Sequence, residues 1–194
     1  MKSVVVFCGS AEGYNECYRE AAYSLGETLA NRNIRVIYGG AKVGLMGALA
    51  DGVLQQGGQI IGVIPEFLKT TEVAHEGLTQ LITVATMHER KLKMHEMSDA
   101  IITMPGGWGT MEELFEMLTW AQLGLHKKPV GLLNVNGYYY ALKALCDSMV
   151  QEGFLSEYVN AMLLINESMD ELLEQMEAYE PPIEIPKLIT RQAT

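Results

Sequence analysis

Seven short apolar runs alternate with segments of helical spacing along this chain, and that alternation leaves few folds open to it. The runs at 3–7, 34–38, 59–64, 81–84, 100–104, 130–133 and 162–165 are rich in Val, Ile and Leu and read as buried strands. Segments 16–31, 44–56, 88–97, 110–123, 138–152 and 168–179 carry apolar residues at intervals of three and four and read as helices. The βαβα order predicts an α/β fold, a Rossmann-like doubly wound parallel sheet in a three-layer αβα sandwich. In such sheets the loops after the strands gather along one edge, where ligands bind. No repeat, linker or composition shift divides the 194 residues, so a single Rossmann-like nucleotide-binding domain is expected over 1–180. An irregular tail, marked by Pro181, Pro182 and Pro186, is expected over 181–194.

Acids outnumber bases 24 to 14, for a formal net charge of -10, which excludes binding to a nucleic acid polymer over a broad basic surface. Any phosphate must be held locally. No apolar run approaches membrane-spanning length, so no membrane partner is expected. The first residues enter a strand without the features of a signal peptide, and a cytoplasmic location is expected. Cys8, Cys17 and Cys146 show no metal-ligand spacing and read as reduced thiols.

Three glycine-bearing loops follow expected strands. They are Cys8-Gly9-Ser10 after the first, the stretch 39–47 (GGAKVGLMG) after the second, and PGGWGTMEE at 105–113 after the fifth. Glycine lets backbone N–H groups approach an anion, and a helix N-terminus beyond it adds a favourable dipole. Gly40, Gly106, Gly107, Gly109 and Thr110 are therefore candidate ligand contacts, while Met111 reads as core packing. Two nucleotide motifs fail: Glu112 stands where G-x-G-x-x-G needs a small residue, and no G-x-x-x-x-G-K-[ST] occurs.

The acid at the end of the third loop has two readings. Thr110 to Glu113 matches a helix capping box, which alone would account for Glu113. Beside a phosphate-binding turn, the same carboxylate can act on a bound sugar or its attacking water. A second cluster, MHERKLKM at 87–94, puts bases at the start of a helix, against its dipole, which an anionic ligand would explain. Arg90 suits a forked phosphate or ribose contact and Lys91 a point charge, unless this is a solvated face on which Glu89 pairs with Lys93. His88 and His95 share that helix without a completing ligand set, so no metal is expected. Trp108, between glycines, can stack on a base, cover the pocket or meet another subunit.

As an ordered set these segments resemble the Lonely Guy (LOG) family of cytokinin riboside 5'-monophosphate phosphoribohydrolases, long labelled lysine decarboxylases. The resemblance rests on P-G-G-x-G-T-x-x-E at 105–113, CGS at 8–10, YGG and GLMG within 38–47, GVIP at 62–65, MHxRK at 87–91 and TWAQLGxHxKPVGLLN at 119–134. It implies a homodimer of Rossmann-like subunits that cleaves the N-glycosidic bond of a nucleoside 5'-monophosphate to free base and ribose 5-phosphate, with no cofactor. It also implies Arg90 and Glu113 as the catalytic pair, and Ser10, Glu72, Lys91, the loop from Gly106 through Glu112 and Thr119 as ligand contacts. The sequence departs from common family forms at Ala11, Lys42 and Trp108, which bears on base preference. The pyridoxal chemistry in the old label needs a Schiff-base lysine in a suitable setting, which neither Lys42 nor Lys91 has. A non-catalytic nucleotide or molybdenum-cofactor carrier of related fold is the alternative, and the intact Arg90 and Glu113 favour the hydrolase.

Overall fold

A computed structural model describes residues 1–68 and 74–181. Among these residues one sheet contains β1 (Ser3–Phe7), β2 (Arg35–Tyr38), β3 (Ile60–Pro65), β4 (Gln80–Val84), β5 (Ala100–Thr103), β6 (Val130–Leu133) and β7 (Leu163–Asn166). Every neighbouring pair is parallel, in the order β4-β3-β2-β1-β5-β6-β7. The helices are α1 (Cys17–Asn31), α2 (Gly44–Gln55), α3 (Met87–Glu96), α4 (Trp108–Gln122), α5 (Tyr140–Gln151), α6 (Glu157–Asn160) and α7 (Met169–Glu177). Most of the Pro-rich tail, from Pro182 on, lies outside the described residues.

Alternation along β1 shows how the layers form. Val4 and Val6 join one core with Leu25 and Leu29 of α1, Leu49 and Val53 of α2, and Leu172 and Leu173 of α7. Val5 and Phe7 join the other core with Met94 of α3 and Leu114 and Met117 of α4. Strands buried on both faces need apolar residues at every position, which is why β1 reads VVVF without polar alternation. The α1 and α2 backbones approach closely, since a Cβ on Gly52 would lie 2.1 Å from Tyr23 O.

Strand order reverses between β1 and β5. The chain builds outward from β1 to β4, then returns to place β5 on the other side of β1. Loops leaving the carboxyl ends of these two strands diverge and open a crevice between them. The first and third glycine loops are those two loops.

Two helix starts differ from the sequence expectation. The expected capping box at Thr110 and Glu113 is absent, because α4 begins at Trp108 with Gly107 as its N-cap, leaving Thr110 inside the first turn. Glycine has no side chain to mark that start. The box occurs instead at α3: Thr86 Oγ1 accepts from Glu89 N–H at 3.1 Å, and Glu89 Oε2 accepts from Ala85 N–H at 2.8 Å. Glu89 thus caps its own helix. The start of α5 is also later than expected, because Asn136 (φ 52°) and Gly137 (φ 69°) adopt left-handed backbone before it.

Where α3 ends, the His95 ring meets Trp120 edge-on at 5.3 Å and His126 at 4.8 Å. Burial, then the charge of Lys128 and the neighbouring His126, push the His95 pKa down to about 4. His95 Nδ1 is buried without a hydrogen-bond partner. Between pH 6.5 and about 4 the unfolded chain takes up a proton at His95 that the folded chain refuses, so stability falls as pH drops through that window. His95→Leu removes this contribution. Its Tm should fall less steeply than that of the wild type between pH 7 and 4, measured by thermal unfolding across the range.

Candidate active site

Main-chain hydrogen bonds join the three glycine loops. Met104 N–H donates to Phe7 O at 2.8 Å and Gly9 N–H to Pro105 O at 3.0 Å, carrying the β1–β5 pairing past the strand ends. Leu45 N–H then donates to Gly9 O at 3.0 Å, which ties in the second loop at the start of α2. A Cβ on Gly44, whose φ is +62°, would lie 2.3 Å from Ser10 C, and one on Gly106 would lie 2.1 Å from Thr110 Oγ1. The loops meet because their residues are small enough to touch.

Arg90 reaches this junction from α3. It is only 6% exposed, with Nε donating to Val63 O at 3.0 Å and Nη2 to Gly39 O at 2.9 Å. Both acceptors are neutral, so they fix the guanidinium plane without cancelling its charge. Gly39 is a glycine for this reason: a Cβ there would stand 2.3 Å from Arg90 Nη2.

Arg90 and Glu113 line one cavity of about 190 Å³ with Ser10, Gly39 and the turn from Gly107 through Thr110. Cys8 also lines it, but burial, with the nearby Glu113 charge, pushes its thiol far above the usual range. That thiol stays protonated and is no nucleophile. A second cavity of about 300 Å³, lined by Gly9, Tyr18, Leu45, Gly106 and Tyr138 among others, shares Ser10 and Gly107 with the first. The arrangement offers an anion a helix N-terminus and a fixed cation, and offers whatever the anion carries a carboxylate.

The other candidates divide. Trp108 opens α4 at the cavity rim and is 92% exposed. Gly40 (φ +85°) is buried against Gly62 and Ile64 of β3, and its carbonyl accepts from His75 N–H at 3.0 Å. Met111 packs partly buried against the α3–α4 core. Lys91 is 4% exposed; its Nζ hydrogen-bonds Glu112 Oε1 and lies 3.0 Å from Glu116 Oε2, tying α3 to α4. Burial lowers the Lys91 pKa, but the two carboxylates outweigh it and hold the amine protonated. Arg90 and Lys91 thus both have internal partners. Thr119 is exposed, with Oγ1 donating to Phe115 O at 2.7 Å, and sits about 13 Å along the helix from Thr110. Glu72 lies outside the described residues. Sequence reasoning missed Tyr138, whose hydroxyl donates to Gly106 O at 2.7 Å, and its only signal was its place just after the turn that follows β6.

A family model described as "possible lysine decarboxylase" matches residues 46–176. The cytokinin riboside 5'-monophosphate phosphoribohydrolase LOG7 of Arabidopsis thaliana is 47% identical over 180 residues, covering 93% of this chain and 83% of that protein. LOG1 of the same plant is 47% identical over 180 residues, with 93% and 84% covered. The chain belongs to the LOG family. Among solved structures, the molybdenum cofactor binding protein of Rippkaea orientalis matches the LOG chain with a TM-score of 0.67 at 24% identity, covering 92% of this chain and 97% of that one. The molybdenum cofactor carrier protein of Chlamydomonas reinhardtii does so with a TM-score of 0.67 at 19% identity, covering 92% and 99%. At such identities the likeness shows the fold.

The decarboxylase description can be tested on this LOG chain's own residues. A pyridoxal group needs a lysine amine at its aldehyde, and among the described residues no lysine lines the cavity that holds Arg90 and Glu113. Lys91, the buried lysine nearby, is held protonated between two acids, opposite to what imine formation requires. The described residues do not fit that cofactor. Among the described residues no group of three or more His, Cys, Asp or Glu is placed to hold a metal.

The glycines of the loops are unequal. Gly39→Ala must displace both Arg90 Nη2 and Met46 Sδ, whereas a Cβ on Gly107 meets nothing within 4 Å. Gly39→Ala should lose about 1–3 kcal/mol of stability, and Gly107→Ala about 0.5 kcal/mol or less. Urea unfolding of both variants checks the contrast.

Proposed function

We propose that this protein hydrolyses the N-glycosidic bond of a nucleoside 5'-monophosphate of cytokinin type, releasing free base and ribose 5-phosphate. The observation that carries the reading is the convergence of Arg90 from α3 and Glu113 from α4 on one cavity, at a turn of glycine amides. Close similarity to plant enzymes that bear this activity in their names supports it.

In the proposed mechanism the phosphate sits on the amides of the turn at 107–110, at the positive end of α4. Arg90, its plane set by Val63 O and Gly39 O, orients the ribose phosphate. Glu113 stabilises the oxocarbenium-like state as the bond from C1' to the base nitrogen lengthens, or directs water to C1'. The water oxygen bonds to C1', and the departing base nitrogen gains a proton. Ser10, Gly40, Glu72, Trp108, Met111, Glu112 and Thr119 complete the proposed ligand set. Lys91 contributes through Glu112, which it holds.

A homodimer belongs to the same proposal. Met87 and Leu92 of α3 and Trp108 and Phe115 of α4 are large apolar side chains exposed by 37% or more, a feature of surfaces that meet a partner. Phe115→Asp should shift a dimer to monomer in sedimentation equilibrium. No described helix is long and apolar enough to cross a membrane. We place the reaction in the cytoplasm.

Chromatography after incubation with N6-isopentenyl-AMP and with AMP tests the activity. Free base from the first alone identifies a cytokinin-type hydrolase, and base from both a broader nucleotide hydrolase. Tight binding without product would favour a carrier. Glu113→Gln should keep the native fold, since α4 already starts at Trp108 and glutamine preserves the size and hydrogen-bonding reach of the side chain. Its turnover should fall by about 10²–10⁴-fold; wild-type turnover would remove the catalytic role.

A further inference from the structure

Tyr138 and Tyr139 follow the left-handed turn after β6 and reach back to the strand end from which the PGG turn leaves. Asn134 Oδ1 accepts from Tyr139 N–H at 2.7 Å, which sets the direction in which both rings project. The Tyr139 hydroxyl, on a ring only 2% exposed, donates to Met104 O at 2.7 Å. The Tyr138 hydroxyl donates to Gly106 O at 2.7 Å, and its ring stands edge-on against Tyr18 at 5.9 Å and Tyr139 at 4.8 Å. Two consecutive hydroxyls thus hold the carbonyls on either side of Pro105.

A trans peptide is planar, with its C=O and N–H on opposite edges. No peptide in the described chain is cis. Once the Gly106 carbonyl is turned toward Tyr138, the Gly107 N–H of the same peptide must point the other way. Tyr138 lines the second cavity and not the one with Arg90 and Glu113, while Gly107 lines both. The Gly106–Gly107 peptide is therefore the wall between them. Its N–H faces the Arg90 side, and among the described residues it makes no backbone hydrogen bond. On its Gly107 side this peptide is open, since a Cβ there would meet nothing within 4 Å, whereas Gly106 packs closely against Thr110. A glycine-flanked peptide of this kind flips readily when its carbonyl is released.

We infer that the Tyr138 hydroxyl is a positioning group for phosphate: by holding the Gly106 carbonyl it aims the Gly107 amide at the anion bound beside Arg90. The inference rests on the proposed function for its ligand, a nucleoside monophosphate. Tyr138 touches no reacting atom.

Tyr138→Phe keeps the ring and its edge contacts and deletes the hydroxyl alone. The test compares AMP and adenosine binding by calorimetry in wild type and Tyr138→Phe, together with KM and kcat for the nucleotide that the wild type cleaves. AMP binding should weaken about tenfold, the scale of one charge-assisted hydrogen bond. Adenosine binding should stay within about twofold, KM should rise about tenfold, and kcat should hold within about threefold. Tyr140→Phe, which loses a hydroxyl bonded to Glu167 away from the turn, should match wild type on every measure. Unchanged AMP affinity in Tyr138→Phe, or equal losses for AMP and adenosine, overturns the inference. So does a wild type that binds both ligands alike. If the wild type favours AMP yet releases no base, the proposed hydrolysis fails, and the binding arm still decides the role of Tyr138.

Discussion

Two main-chain hydrogen bonds at the end of β1, Met104 N–H to Phe7 O and Gly9 N–H to Pro105 O, determine where every other group at the site can stand. They prolong the pairing of β1 with β5 beyond the strands, at the one place where the strand order reverses. With the first and third loops joined there, the Gly9 carbonyl is left to receive Leu45 N–H, and the second loop is drawn in. Arg90 and Glu113 arrive from helices on one face of the sheet and meet over this junction. The proposed anion seat is thus almost wholly main chain. The proposed chemistry rests on two side chains.

Burying a cation is costly unless polar groups surround it. Arg90 meets that requirement with the carbonyls of Val63 at the third strand and Gly39 just past the second. A carboxylate would also have met it, and would have cancelled the charge that an anionic ligand needs. The choice of carbonyls stabilises the guanidinium and keeps it positive. It also makes the arginine rigid, since its head is fixed to the same sheet that carries the loops.

The strands and most helices were legible because burial on both faces of a parallel sheet imposes apolar runs, and helices on that sheet impose intervals of three and four. Arg90, Glu113 and the glycines were legible as residue types whose chemistry is hard to explain otherwise. The start of α4 was not, because its N-cap is Gly107 and the side-chain signature at Thr110 and Glu113 imitates a box that the structure builds at Thr86 and Glu89. Lys91 read as a ligand cation because its partners, Glu112 and Glu116, come from a helix about twenty residues on, and their contact exists only once α3 and α4 pack. Tyr138 was invisible for a related reason: what matters about it is a hydrogen bond to a carbonyl, and carbonyls have no letter in a sequence.

The clamp of Lys91 on Glu112 and Glu116 also shapes the field that a ligand meets. Three carboxylates, Glu112, Glu113 and Glu116, stand within the first three turns of α4, at the helix end where an anion would dock. Left to themselves they would repel a phosphate and offset the positive potential that the helix N-terminus offers it. One buried ammonium between two of them cancels much of that repulsion, and Lys91 itself is almost entirely enclosed, although Glu112 remains open to solvent. A chain with ten net negative charges can in this way present a locally receptive surface to a negative molecule. Acidic side chains can then stand beside the proposed anion seat without closing it to a negative ligand.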